Sequence, residues 1–158
     1  MQTRREMISR SAQVATLLAA VGLLPGLARA QAQAAGAFNA AAFSAKTMAE
    51  LMKTLGAGTP AESKDVSITG PDIAENGAVV PIGAATTLPG VKRLLILVEK
   101  NPSMLAAMFD VSDAIDANIS TRVKMGQSSN VFAVAMMNDG KVLFAQKEVK
   151  VTLGGCGG

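Results

Sequence analysis

From Phe38 to Leu55 the apolar positions Phe38, Ala41, Ala42, Ala45, Met48, Leu51, Met52 and Leu55 recur at helical spacing, with Gly56 behind them as a stop signal. The spacing predicts one amphipathic helix. After the loop Ala57-Gly58-Thr59-Pro60 the period changes to two, and short apolar runs bounded by Gly, Pro, Asn and Asp fill the rest of the chain. Strands are predicted near 65–69, 77–86, 91–99, 105–111, 118–125, 130–137 and 141–153, with Asn76-Gly77 and Asn138-Asp139-Gly140 supplying positive-φ turns. Val91 to Val98 is apolar apart from Lys92 and Arg93, as a central strand covered on both faces must be. Ile119, Thr121, Val123 and Met125 instead alternate with Ser120, Arg122 and Lys124, the mark of a half-exposed strand. The predicted class is mainly β, an antiparallel sandwich preceded by one short helix.

The front of the chain is an address. Thr3-Arg4-Arg5-Glu6-Met7-Ile8-Ser9 gives a basic start, residues 11–28 carry no charge, and Ala28-Arg29-Ala30 is a small-x-small cleavage signal. Paired arginines ahead of a weakly apolar stretch resemble the twin-arginine signal, which exports folded cargo to the periplasm. An 18-residue stretch broken by Gly22, Pro25 and Gly26 is at the short limit for a membrane span, so a cleaved signal is the reading and no membrane is implied. Export of a folded chain with few means of holding a metal points to a partner docked beforehand. The organisation read from sequence is export signal over 1–30, leader and helix over 31–64, sandwich over 65–153 and a terminal arm over 154–158.

The formal charge of +3 changes meaning once the signal is set aside. Four arginines and one glutamate in residues 1–30 account for all of it, leaving 11 basic and 11 acidic residues from Gln31 onward. Nothing points to nucleic acid. With no His and a single thiol at Cys156, the chain has neither a His-rich or multi-Cys metal site nor a Ser/His/Asp triad. No cofactor, no metal site and no catalytic residue is expected, and the protein reads as a non-enzyme.

The remaining chemistry sits at the end. Val149, Val151 and Leu153 alternate with Glu148, Lys150 and Thr152 until the pattern stops at Gly154-Gly155-Cys156-Gly157-Gly158. Glycine has no Cβ and visits both signs of φ, so two on either side leave the Cys156 thiol sterically bare on a flexible tether. From Val151 the stretch reaches about 15 Å or more at ~3.3–3.6 Å per residue, enough to enter another protein's pocket. No cation or helix N-terminus accompanies the thiol, so its activation must come from partners. The arrangement suggests a tethered carrier, with Cys156 as the covalent attachment point and Gly154, Gly155, Gly157 and Gly158 as its arm.

The ending Val151-Thr152-Leu153-Gly154-Gly155-Cys156-Gly157-Gly158 resembles the C-terminal signature of the SoxY family, the sulfur-carrier subunits of the periplasmic sulfur-oxidation (Sox) system. Glu75-Asn76-Gly77-Ala78-Val79-Val80-Pro81, Val98-Glu99-Lys100-Asn101-Pro102 and Thr121-Arg122-Val123-Lys124-Met125 extend the resemblance over most of 65–158. It implies an immunoglobulin-like sandwich that pairs with a second subunit, SoxZ, and carries a sulfur adduct on Cys156. It also implies visits to a haem c-type cytochrome that couples thiosulfate, a thiosulfohydrolase that releases sulfate, and a sulfur dehydrogenase. The three interior motifs read first as a hairpin turn at Asn76-Gly77, a strand exit at Asn101-Pro102 and a solvated face at Arg122 and Lys124. The alternative from another class is a periplasmic interaction module that dimerises through Cys156. Activation of the terminal carboxylate would need ATP that export removes, and a thiol oxidoreductase would want a second Cys or an acidified thiolate.

Overall fold

The computed structural model describes residues 39–153. The export signal, the leader up to Phe38 and the arm 154–158 lie outside the described residues.

Where one helix is predicted, two short ones form, α1 over Ala40–Ser44 and α2 over Met48–Thr54. The cause is local. Thr47 caps α2 by accepting from the Glu50 N–H at 3.2 Å, while the Glu50 carboxylate accepts from the N–H groups of Thr47 and Lys46. This reciprocal cap fixes an extended residue ahead of Met48, and Ala45 turns to ψ 136° and ends α1. At the other end Gly56 takes φ +65°, which lets the Ala57 N–H reach the Met52 carbonyl at 2.8 Å and closes α2 as the sequence signal anticipates.

Nine strands follow: β1 Pro60–Glu62, β2 Val66–Thr69, β3 Ile73–Ala74, β4 Val80–Thr86, β5 Val91–Val98, β6 Leu105–Asp110, β7 Asn118–Val123, β8 Ser129–Met137 and β9 Val142–Val151. The larger sheet runs β1-β9-β8-β5-β6 with β3 also on β9, and the smaller runs β2-β4-β7. Every predicted run is a strand. The two additions, β1 and β3, are three and two residues long and pair in parallel with opposite ends of β9. Strands so short hold no alternation to read, and their partners lie 82 and 77 residues further along the chain.

The two sheets stack as an immunoglobulin-like sandwich, with β5 buried on both faces as the run Val91–Val98 predicts, and β8 buried on both faces beside it. Leu94, Ile96 and Val98 of β5 and Val131, Ala133 and Ala135 of β8 face the smaller sheet, meeting Val66, Val80, Ile82, Ala84, Val123 and Met125. Leu95 and Leu97, with Phe132, Val134 and Met136, face the other way, where Ala42, Leu51 and Met52 of the helical segment cover them. The helices are thus a third layer that lets the central strands be apolar on both sides. In β7 Ser120 and Arg122 are exposed and Val123 is buried, as the alternation requires.

The strand directions give the sandwich two distinct ends. At one, β4 leaves and β5 enters, β6 passes to β7, and the turn Asn138-Asp139-Gly140 joins β8 to β9, with Gly140 at φ +88°. At the other, β9 finishes among three loops: 70–79, 99–104 and 124–128.

Candidate functional site

The site is the place where β9 leaves the sheet. Val149 lies opposite Ser129 at the last register position with β8, and Lys150 and Val151 then pair with Ile73 and Ala74 of β3. Beyond Val151 the backbone is still held. The Val151 N–H donates to Ser128 Oγ at 2.9 Å and the Thr152 N–H to the Ala74 carbonyl at 3.1 Å. Thr152 Oγ1 donates to the Glu75 carbonyl at 3.2 Å, and the Leu153 carbonyl accepts the Gly77 N–H at 2.9 Å. Among the described residues the hydrogen bonds along the terminal segment run to the Leu153 carbonyl, two residues beyond the strand.

The loop that supplies these partners is shaped by Asn76, whose Oδ1 accepts the Ala78 N–H at 2.8 Å. That side-chain turn leaves Gly77 bridging two directions, its N–H to Leu153 and its carbonyl to the Met125 N–H at 2.7 Å. The predicted hairpin with positive φ at Asn76-Gly77 does not form: positive φ among the described glycines is confined to Gly56, Gly90 and Gly140. β3 pairs with β9, and β4 with β2 and β7, so the turn connects two sheets rather than two paired strands.

Asn101, read from sequence as a strand exit, bonds across to the β7–β8 loop. Its Nδ2 donates to the Lys124 carbonyl at 2.6 Å and its Oδ1 accepts the Gly126 N–H at 3.3 Å. Arg122 and Lys124 are exposed cations beside a hollow of about 490 Å³ that Asn101 and Pro102 also line. The three interior motifs thus converge at the end of the sandwich from which the terminal strand departs. Ser128 carries no signal in the sequence, and Thr152 stands there only within the terminal motif, because a hydroxyl in a loop or at a strand end has no pattern of its own.

Three large apolar side chains are exposed on the segments that meet at the point of departure. Ile73, Val79 and Leu153 are 58, 53 and 68% exposed, three of the four exposed large hydrophobic side chains among the described residues. Beside them the Lys147 ammonium donates to Asp72 Oδ1 at 2.7 Å, and this hydrogen bond, aided by the opposite charge, holds the Asp72 carboxyl below its ordinary 3.8. Among the described residues no three metal-ligating side chains come together, and no helix is long and apolar enough to cross a membrane. Cys156 and Gly154, Gly155, Gly157 and Gly158 lie outside the described residues, three to five positions past the anchored carbonyl for the thiol and its far glycines.

Fold and site define an immunoglobulin-like sandwich protein whose terminal strand is locked at its root and continues into a glycine-bracketed thiol sequence. The chain belongs to the SoxY family: residues 51–156 match the family described as sulfur oxidation protein SoxY. Among solved structures it is similar to the sulfur carrier protein SoxY from Chlorobium limicola f thiosulfatophilum, at 35% identity and TM-score 0.61, covering 68% of this chain and 97% of that one. A superoxide reductase (neelaredoxin) from Ignicoccus hospitalis is more distant, at 15% identity and TM-score 0.47, over 54% of this chain and 79% of that one. No curated protein matches the sequence.

Proposed function

We propose that this chain is a sulfur carrier of thiosulfate oxidation, bearing its cargo on Cys156. The observation that carries the reading is the anchored Leu153 carbonyl followed directly by Gly154-Gly155-Cys156-Gly157-Gly158. A fixed root, two residues without side chains and a nucleophile flanked by glycines suit a short arm that starts at a defined point. From Leu153 to Cys156 is three residues, about 10 Å at full extension. The sequence estimate of about 15 Å counted from Val151 is shortened by the two residues that the structure holds. An enzyme acting on the thiol must bring its surface within that distance of Leu153, onto the apolar rim formed with Ile73 and Val79.

In the first step the Cys156 thiolate and thiosulfate form an S–S bond, giving Cys–S–S–SO₃⁻ and releasing two electrons to a haem c-type cytochrome. A thiosulfohydrolase then adds water to the terminal sulfone sulfur and releases sulfate, leaving a persulfide for the sulfur dehydrogenase to oxidise. The chain turns nothing over itself; its part is to hold the adduct covalently and present it. The resemblance adds SoxZ as a docked second subunit and export as a folded pair to the periplasm, in line with the twin-arginine-type leader over 1–30 and the arm over 154–158.

The test is reconstituted thiosulfate oxidation with wild-type chain and Cys156→Ser. Complete loss of turnover with an unchanged fold supports the carrier. Unimpaired turnover overturns it, and a disulfide-linked dimer on non-reducing gels as the sole fate of Cys156 establishes the interaction-module alternative instead.

A further inference from the structure

We infer that Asn101 is a positioning residue for the carrier arm, acting through a relay of hydrogen bonds that ends on the Leu153 carbonyl. The inference rests on the carrier reading. Asn101 grips both sides of Met125, through the Lys124 carbonyl at 2.6 Å and the Gly126 N–H at 3.3 Å. Met125, fully buried, donates from its N–H to the Gly77 carbonyl at 2.7 Å, and the Gly77 N–H donates to Leu153 at 2.9 Å. Four segments far apart in sequence are joined in one line, and the last atom of that line is the point from which the arm departs.

The short arm is what makes this matter. A root tilt of about 20° moves a tip about 10 Å away by roughly 3–4 Å, which is comparable to the tolerance of a narrow channel. A longer tether dilutes such an error by its own freedom more than one of three residues does. The other bonds at the root, from Ser128, Ala74 and Glu75, hold Val151 and Thr152 beside β3. Among the described residues the Gly77 N–H is the bond on Leu153, and Gly77 is itself placed by the Asn76 turn and by Met125, whose two sides Asn101 grips.

The test uses the full mature chain with its partner subunit, loaded on Cys156 with thiosulfate by the cytochrome, and the thiosulfohydrolase as the visiting enzyme. Asn101→Ala should raise the KM of sulfate release about tenfold at little-changed kcat, because encounter geometry suffers while the chemistry does not. Alkylation of the thiol by iodoacetamide should keep its wild-type rate. A nitroxide on Cys156 should show a faster, more isotropic spectrum in Asn101→Ala than in wild type. Inserting two glycines between Gly155 and Cys156 should remove most of the KM difference between the two backgrounds, which no loss of general stability explains. If Asn101→Ala fails to fold, Asn101→Asp keeps the acceptor for Gly126 and loses the donor to Lys124, and should show the same shifts in smaller degree.

Wild-type KM together with a wild-type nitroxide spectrum overturns the inference. An equal KM rise in the lengthened background overturns it too. If the wild-type chain takes up no sulfur, the carrier reading fails, and the nitroxide spectra alone decide whether Asn101 sets the root.

Discussion

The two ends of the sandwich are built differently although the same strands supply both. At the end where β9 departs, the loops are bonded to one another: Asn101 to 124 and 126, Gly77 to Met125 and Leu153, Ser128 to Val151, Thr152 to Glu75. At the opposite end the bonds between loops are backbone to backbone, Asn138 N–H to Gly90 and Thr86 N–H to Ala117, several turns close on themselves, as in Gly140 to Met137 and Ile115 to Ser112, and an open cleft of about 840 Å³ lies between the sheets' loops. Asp65, Asp113 and Asp116 line that cleft with exposed side chains. Cross-bonded loops fix one another's positions, whereas self-contained turns fix only their own. The difference lies in where this fold spends its polar side chains on joining loops: on the end from which the terminal strand departs.

That contrast can be broken in several ways. The largest effect is on the arm itself: Cys156→Ser should abolish thiosulfate turnover, while Asp113→Asn combined with Asp116→Asn at the cleft should leave it within about twofold of wild type, as exposed substitutions away from a site do. A cleft variant that stops turnover would make the far end functional and the comparison wrong.

A core substitution should strike both ends together. Leu95 is fully buried between the larger sheet and the helical layer, so Leu95→Ala should cost about 2–5 kcal/mol in urea unfolding. A cost below about 1 kcal/mol would mean the helices are a loose cover rather than a third layer of the core.

Gly140→Ala sharpens the contrast from the far end. Its φ of +88° strains any residue with a Cβ, yet nothing lies within 4 Å of the added atom, so the cost is backbone strain alone, about 1–2 kcal/mol. Sulfate release from loaded carrier should keep its wild-type KM. A KM rise like that expected for Asn101→Ala would show that the two ends are coupled.

The smallest effect is electrostatic and appears once at each end. Lys147 lowers the Asp72 carboxyl beside the arm root, and Lys141 lowers that of Asp139 in the β8–β9 turn, in both cases chiefly by direct hydrogen bonding. A carboxylate with a lowered folded value stabilises the fold above its unfolded value near 3.9 and loses that contribution as pH falls through the lowered one. Both carboxyls are solvent-exposed, so Tm should be flat from neutrality to about pH 5 as far as these pairs are concerned, with a slight fall only in the acid range. Carboxyl NMR titration should place both midpoints below 3.8; midpoints at or above it would remove the pairs from solution.

Much of this architecture is legible in the chain. The run Val91–Val98 announces a strand covered twice because it is apolar on both faces and too short for a buried helix, and the alternation from Ile119 to Val123 announces one face in water. Gly140 is legible because the turn needs a φ that glycine adopts freely. The split helix is missed because apolar spacing continues across Thr47, and only the Thr47-to-Glu50 cap, a pair of polar side chains, interrupts it. β1 and β3 are missed because their partner β9 is distant in sequence. The thiol and its glycines stand out from composition alone, whereas the residues that hold the root do not. Asn101, Gly77 and Ser128 look like ordinary loop residues until the fold brings them together.

The measurement that bears most directly on the central claim is the mass of the C-terminal peptide before and after exposure of the chain to thiosulfate and its oxidising cytochrome, with and without the thiosulfohydrolase. The account predicts a thiosulfonate adduct on Cys156 that shortens to a persulfide as sulfate appears. A peptide that stays unmodified, or is found only as a disulfide dimer, while thiosulfate is consumed, would contradict it.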